Sequence, residues 1–212
     1  MMAAVTIVRC VIAALNQAGI PHVLVGSFAR NYYADPRSTK DADLVLALPS
    51  GASLQPFLDA LGPDFAMDAQ MTFETKTGTF RSSLIHQESS FMVELFILSS
   101  DPYDQERFRR RRHITYDGLP TAVVTAEDVI VSKLRWARGK DLDDVRDVIA
   151  LQGEDRLDWE YIHLWTARHG SEAKLEDIRA GLASRKMPEQ LLRDDDKAGN
   201  AAIKDKNTTG NY

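Results

Sequence analysis

Apolar positions in the first 124 residues alternate between a helical spacing and short strand-like runs. From 4 to 18 they recur every three or four residues, which predicts an amphipathic helix that ends at Gly19. Short apolar runs bounded by turn residues then predict strands at 22–25, 42–48, 65–73, 79–86, 91–98, 113–116 and 121–124. Helical spacing predicts further helices at 28–34, 54–61 and 103–112.

After Val124 the pattern becomes helical throughout. Thr125, with Asp128 three residues later, is typical of a helix N-cap, and helices are predicted at 127–138, 142–151, 159–169 and 171–183. The predicted fold class is therefore α+β, with a small mixed β-sheet flanked by helices in residues 1–125 and a helical subdomain in 126–184. We expect the polar tail, residues 185–212, to be mostly disordered.

Composition and charge narrow the functional classes. The net charge of -5 argues against a protein that coats nucleic acid, although a local basic groove stays open. With Cys10 as the single cysteine, no disulfide can form within the chain. No stretch approaches the roughly 18 apolar residues of a membrane helix. The first residues lack a basic segment and continue as an amphipathic helix, which favours a cytoplasmic protein without a signal peptide.

Two carboxylates stand at the start of the second predicted strand. Side chains alternate along a strand, so Asp41 and Asp43 project from the same face and repel each other. A divalent cation such as Mg²⁺ or Mn²⁺ would relieve that repulsion, because both ions prefer oxygen ligands. The alternative is a solvated polar beginning to the strand.

Glu94 interrupts the apolar run FMVELFIL. A buried carboxylate needs a cation, a hydrogen-bonding partner or an opening to solvent, since burying it unpaired costs several kcal/mol. If this strand lies beside the one that carries Asp41 and Asp43, three carboxylates converge. The alternative is a glutamate on the solvated face of a half-exposed sheet.

A Gly-Ser pair ends the first predicted strand. Gly26 allows a ligand to approach the backbone, and the hydroxyl of Ser27 and free N–H groups of the following helix can bind phosphate oxygens. Such a pair alone is more often a simple turn. The pair becomes informative because an Asp-x-Asp pattern follows Ser27 after thirteen intervening residues.

The stretch VLVGSFARNYYADPRSTKDADLVL resembles the nucleotidyltransferase superfamily, which has the polymerase-beta-like fold. Its part RSTKDAD is similar to the R-x-T-x-D-x-D form of bacterial branches, and VVTAEDVIVSKLRWARGKDLDDVRDVIAL resembles the segment after the core in AbiEii-type proteins. The resemblance implies a metal-dependent enzyme that moves a nucleoside monophosphate from an NTP, such as ATP, to an acceptor hydroxyl. The implied acceptor is RNA or tRNA, a protein or a small molecule, and an antitoxin partner is implied if the chain is a toxin.

The resemblance also implies roles for single residues. Gly26 and Ser27 would hold the triphosphate, Asp41 and Asp43 would bind Mg²⁺ or Mn²⁺, and Glu94 would be a third metal ligand or the general base. Glutamate replaces the more frequent aspartate at this third position. The implied nucleotide-binding residues are Gly26, Ser27, Arg37, Lys133 and Asp144.

Several residues keep two interpretations. Lys133 lies within the apolar stripe of its helix, where a lysine either extends to solvent or meets an anion. Asp144 would orient Lys133 or contact the nucleotide. The basic run of Arg107 and 109–112 is either a solvated helix face or a patch for a phosphate-bearing acceptor. Two other functions stay open for the whole chain: a non-catalytic binding or regulatory protein, and a metal-dependent phosphohydrolase.

Overall fold

The protein is described by a computed structural model, which covers residues 4–49, 51–68, 70–75 and 77–184. The predicted disordered tail lies outside the described residues. The strands are β1 (His22–Val25), β2 (Asp41–Leu46), β3 (Phe65–Met67), β4 (Thr72–Glu74), β5 (Thr79–His86), β6 (Met92–Ile97), β7 (Arg112–Tyr116) and β8 (Leu119–Val123). The helices are α1 (Ala4–Gln17), α2 (Gly26–Tyr33), α3 (Gln55–Leu61), α4 (Pro102–Arg109), α5 (Ala126–Trp136), α6 (Gly139–Gln152), α7 (Trp159–Arg168) and α8 (172–184), with a 3₁₀ turn at Glu154–Arg156.

The strands form one mixed sheet of eight strands. Neighbouring strands follow the order β3-β5-β6-β2-β1-β8-β7. Strand β4 also pairs with β5 and lies outside this linear order. Strands β1 and β2 are antiparallel, whereas β2 pairs with β6 and β1 pairs with β8 in parallel. The mixed sheet with flanking helices and a helical C-terminal part confirms the predicted fold class.

Two predicted elements differ from the structure in ways that strand pairing explains. The predicted strand 65–73 is divided, because β3 pairs with the end of β5 and β4 with its beginning in registers that differ by two residues. The predicted helix 103–112 ends at Arg109, because Arg112 is drawn into the sheet opposite Val123. In both cases pairing with a distant strand overrides the local pattern.

The two faces of the central strands have different environments. Ala42, Leu44, Val93 and Leu95 are fully buried and belong to one apolar core that includes α1 and α5. Asp41, Asp43 and Glu94 occupy the alternate positions of the same strands, and their side chains line a cavity. Strand alternation therefore places apolar residues in the core and acidic residues in the cavity.

The helical part packs directly on the core. The Tyr103 ring of α4 lies 5.1 Å from the Trp165 ring of α7, and its hydroxyl donates to the main-chain oxygen of Asp128 in α5 at 3.1 Å. Helix α5 begins with the predicted cap, since the Thr125 hydroxyl accepts from the Asp128 N–H at 3.3 Å. The division at residue 125 stays a prediction. None of the helices in the described ranges combines the length and apolar content that crossing a bilayer requires.

Candidate active site

A partly enclosed cavity of about 210 Å³ lies between the sheet and helix α5. Strands β2, β4, β5 and β6 contribute residues on one side, and α5 and the start of α6 contribute residues on the other. Its charged lining residues are Asp41, Asp43, Glu74, Arg81, Glu94, Arg107, Asp128, Lys133, Arg138, Lys140 and Asp141. Six are acidic and five are basic, so the cavity combines groups for cations and for phosphates.

Strand register brings three carboxylates together in this cavity. Asp43 of β2 is directly paired with Glu94 of β6, and Asp41 is paired with Met92. Adjacent strands lie about 4.8 Å apart, which places the carboxylates of Asp43 and Glu94 side by side. Asp41 projects from the same face two residues earlier, so the sheet assembles the acidic site that the sequence pattern predicts.

The protonation of Asp43 reflects this crowding. Burial, the negative charges of Glu94 and Asp41 and a hydrogen-bonding contact with Glu94 together raise the pKa of Asp43 to about 7, although Lys133 opposes the shift. Each influence except Lys133 disfavours a third negative charge in a site of low dielectric. A divalent cation between these oxygens would remove this energetic penalty. The carboxylate oxygens therefore suit Mg²⁺ or Mn²⁺ as ligands.

Asp41 and Asp43 are the best placed of these groups for a metal ion. The Thr39 hydroxyl lies 3.0 Å from Asp41 Oδ1 and orients that carboxylate. Across the described residues, however, no three side chains of His, Cys, Asp or Glu form a ready-made metal cluster. Mg²⁺ usually binds through one or two carboxylates together with substrate phosphates, which agrees with a site that two aspartates begin and a triphosphate completes.

Gly26 is required by the close approach of Asp43. Its φ of +58° lies in the left-handed region, and a Cβ at this position would stand 1.9 Å from Asp43 Oδ2. Only glycine avoids both the strain and the clash. Ser27 follows in the first turn of α2, is buried and lines the cavity, while the N-cap residue Val25 provides no side-chain cap for the helix N–H groups. This helix N-terminus can therefore donate to phosphate oxygens.

Lys133 meets anions, one of the two interpretations of its position. Its ammonium lies 3.1 Å from Asp141 Oδ1 and 2.8 Å from Asp144 Oδ2, and the residue is only 6% exposed. Burial acts to raise the pKa of Asp144, but hydrogen bonds from Arg37 and Lys133 outweigh it and lower that pKa. Arg30 adds a third cation, 3.1 Å from Asp144 Oδ1.

This network separates the predicted nucleotide-binding residues into two groups. Gly26, Ser27 and Lys133 line the cavity. Arg37 and Asp144 are not among the lining residues; Arg37 donates from Nε and Nη2 to the two Asp144 oxygens at 3.0 and 2.8 Å. Asp144 contacts Lys133, as a role in orienting that lysine requires. This role and direct nucleotide contacts of Arg37 and Asp144 stay predictions.

Comparison with known proteins decides the fold. No family model matches the chain, and no curated protein is significantly similar in sequence. Among solved structures, ANT(2'')-Ia in complex with adenylyl-2''-tobramycin matches with a TM-score of 0.54 at 15% identity, over 80% of this chain and 98% of that one. An antigenic nucleotidyltransferase-like protein from Paracoccidioides brasiliensis matches with a TM-score of 0.54 at 18% identity, over 85% and 90%.

This chain has the nucleotidyltransferase fold. The structural likeness therefore confirms the fold that the resemblance of the Gly-Ser and Asp-x-Asp segment implies. The narrower resemblance to AbiEii-type proteins stays a prediction, because neither neighbour carries that name.

Some cavity residues of this nucleotidyltransferase fold had no assigned role from the sequence. Arg81 of β5 forms an ion pair with Glu94, its Nη1 lying 2.8 Å from Glu94 Oε1. Arg138 lines the cavity and donates from Nε to Asp141 Oδ2 at 2.6 Å, and Lys140 lines the cavity nearby. The alternation of β5 alone could have shown that Arg81 and Ser83 share a face, but not which strand that face meets.

The basic run at the end of α4 does not act as one patch. Arg107 is buried, lines the cavity and pairs with Asp104 at 3.0 Å. Arg109 is exposed, and Arg110 stacks over the Tyr161 ring at 3.8 Å. The helix ends within the run, so its arginines point to different surroundings, and neither single interpretation of the run describes all of them.

Proposed function

We propose that this protein transfers a nucleoside monophosphate from an NTP to a hydroxyl group of a small-molecule acceptor. The observation that carries the proposal is the strand register that places Asp43 beside Glu94, with Asp41 on the same face and Gly26 against Asp43. A phosphate-binding helix start and an oxygen-rich cation site then meet in one cavity.

A small acceptor is supported by one structural neighbour and by the charge of the chain. The neighbour ANT(2'')-Ia is in complex with an adenylylated small molecule, adenylyl-2''-tobramycin. The net charge of -5 also disfavours a large RNA. RNA or protein acceptors and an antitoxin partner stay predictions of the sequence resemblance.

Asp41 and Asp43 would hold Mg²⁺ or Mn²⁺ together with oxygens of the triphosphate. When bound, the ion supplies Lewis acidity at the reacting phosphate and neutralises charge on the departing pyrophosphate. The hydroxyl of Ser27 and the N–H groups of α2 orient the phosphates. Lys133 and Lys140 add positive charge at the cavity wall.

Glu94 would accept the proton of the attacking hydroxyl. As the acceptor oxygen forms its bond to the α-phosphorus, the bond between the α-phosphorus and the oxygen that bridges it to the β-phosphate breaks. Pyrophosphate leaves with the electron pair of that bond. The proton of the hydroxyl passes to Glu94, so atoms and charges balance. Glu94 is suited to this role because it is only partly buried and lies next to the metal-binding carboxylates, at 17% side-chain exposure.

The test is a transfer assay with four NTPs, labelled in separate reactions at the α- or γ-phosphate, in the presence of Mg²⁺. Acceptors are aminoglycosides, a small-molecule cell extract, pooled RNA and pooled protein. We expect α-label to move to a small molecule with release of pyrophosphate, and Asp43→Ala or Asp41→Ala to lower the rate at least about 100-fold. Asp143→Ala, an exposed aspartate outside the cavity, is the matched control.

Each other outcome has a defined meaning. No transfer with any NTP contradicts the proposal and favours a non-catalytic binding protein. Transfer that Asp43→Ala leaves unchanged contradicts the assignment of this site. Release of free phosphate or of nucleoside monophosphate without a labelled acceptor identifies a phosphohydrolase. Label in RNA or protein alone retains the chemistry but replaces the small-molecule acceptor.

A further inference from the structure

Arg81 reaches the third carboxylate from a neighbouring strand. In the β5–β6 pair, Ser83 lies opposite Glu94 and Arg81 lies opposite Phe96. The Arg81 side chain therefore crosses diagonally to Glu94 on the same face, where Nη1 and Oε1 are 2.8 Å apart. Both side chains line the cavity and are partly shielded, with exposures of 30% for Arg81 and 17% for Glu94.

Two other cations of the cavity are paired with acids of helix α6. Lys133 pairs with Asp141 and Asp144, and Arg138 pairs with Asp141. Among ion pairs within the described residues, the one between Arg81 and Glu94 is the only one that includes a member of the group Asp41, Asp43 and Glu94. Glu94 therefore differs from the two aspartates in being paired with a cation as well as in its position.

This pairing limits what Glu94 can do. A carboxylate has two oxygens, and the hydrogen bond from Arg81 occupies one lone pair of Oε1, which leaves Oε2 as the freer oxygen of Glu94. An arginine beside a cation site also repels the cation, so a metal ion is favoured on the side of Asp41 and Asp43. The absence of a ready-made cluster of three ligands within the described residues agrees with this division.

We propose that Arg81 is a positioning residue that holds Glu94 toward the acceptor hydroxyl and keeps it out of metal coordination. The inference rests on the proposed nucleotidyl transfer. Arg81 acts through Glu94 and not on the nucleotide. Loss of Arg81 frees Glu94 to turn toward the metal ion, so metal binding and catalysis change in opposite directions.

The first measurement is Mn²⁺ binding to the nucleotide-free protein by electron paramagnetic resonance, which needs no activity. We expect Arg81→Ala to bind Mn²⁺ at least about threefold more tightly than wild type, because a repelling charge is lost and a carboxylate is gained. Part of that gain is carried by Glu94, so it should shrink by at least about half when Arg81→Ala is placed in a Glu94→Gln background.

The second measurement is the transfer rate. We expect Arg81→Ala to lower kcat by about 30-fold or more with a small change in the KM of the NTP, in the range that general-base positioning contributes. Added guanidinium at millimolar concentration should restore part of kcat, and Arg81→Lys should be intermediate. Arg109→Ala removes an exposed arginine paired with Glu106, outside the cavity, and should neither lose activity nor respond to guanidinium.

The two measurements separate the possible failures. If wild type transfers no nucleotide, the proposed function is wrong, and Arg81 is judged on Mn²⁺ binding alone. Unchanged or weaker Mn²⁺ binding by Arg81→Ala overturns the positioning role, even if the rate falls. An Arg81→Ala protein with wild-type kcat overturns it as well, whereas tighter binding with a guanidinium-rescued loss of rate supports it.

Discussion

At the scale of single residues, Gly26 and Asp43 form one unit. The glycine has a positive φ and would clash with Asp43 if it carried a Cβ, so the turn proposed to bind phosphate and the carboxylate proposed to bind metal depend on each other. Asp43 in turn is partly buried and crowded by other carboxylates, so its negative charge is unfavourable without a bound cation. Replacing the Asp43 carboxylate by a neutral group should therefore stabilise the folded protein in the absence of metal.

Gly26→Ala should therefore displace Asp43 and weaken metal binding. We expect a loss of more than about 2 kcal/mol in the free energy of unfolding, from left-handed backbone strain and the clash, and at least a tenfold loss of Mn²⁺ affinity. Gly19→Ala is the control, since Gly19 has a similar φ of +65° with no atom within 4 Å of the added Cβ. It should show the strain alone and retain Mn²⁺ binding. Equal effects of the two substitutions would contradict the close approach.

Asp43→Asn should stabilise the metal-free protein at neutral and higher pH. The pKa of Asp43 is raised to about 7, so between about pH 4 and 7 the folded state holds a proton that the unfolded state has released. Wild-type stability therefore falls over this range, and the full penalty persists above pH 7. Urea unfolding in EDTA should show Asp43→Asn more stable than wild type by at least about 1 kcal/mol at pH 8, with the difference vanishing near pH 4. A difference that is constant across pH would contradict the shift.

At the scale of elements, a buried ion network joins α2, α5 and α6. Asp144 of α6 is 2% exposed and pairs with Arg30 of α2, Lys133 of α5 and Arg37 of the loop before β2. Asp141 adds a second contact to Lys133. The network holds α5 in position over the sheet, and α5 forms one wall of the cavity.

Asp144→Asn should strongly destabilise the fold. Removing one partner of a buried ion pair leaves uncompensated charges, which typically costs about 3–5 kcal/mol. The neighbouring Asp143 pairs with Arg146 at the surface, so Asp143→Asn should change stability by less than about 0.5 kcal/mol. Denaturant unfolding of both variants measures the contrast. A loss below about 1 kcal/mol for Asp144→Asn would show that the network does not hold the three elements together.

At the scale of the whole molecule, the core and the helical part share apolar contacts. Val129, Ile130 and Leu134 of α5 belong to the same buried cluster as the residues of α1 and the sheet. Aromatic contacts between Tyr103 and Trp165 extend the packing to α7. A boundary at residue 125 therefore separates two sequence patterns that share one core.

We expect the chain to unfold in one transition. All three tryptophans lie in the helical part, at Trp136, Trp159 and Trp165, so their fluorescence reports that part, whereas far-UV circular dichroism reports the whole chain. Coincident denaturant midpoints by the two probes are expected for a single cooperative unit. A fluorescence midpoint at lower denaturant would instead show that residues 126–184 unfold as a separate subdomain.

The sequence by itself determined the features that depend on local backbone geometry. Alternation along β2 places Asp41 and Asp43 on one face, the Gly-Ser pair predicts the turn into α2, and Thr125 predicts the start of α5. These follow from the backbone conformation of a few adjacent residues. The fold class followed from the spacing of apolar residues along the whole chain.

Only the tertiary structure decided which distant residues meet. The parallel pairing of β2 with β6 places Asp43 beside Glu94. The Arg81 side chain crosses diagonally from β5 and forms an ion pair with that glutamate. Lys133 is held by Asp141 and Asp144 through the packing of α5 on α6. Strand register and buried ion pairs depend on the shape of the entire core, so no local pattern could specify them.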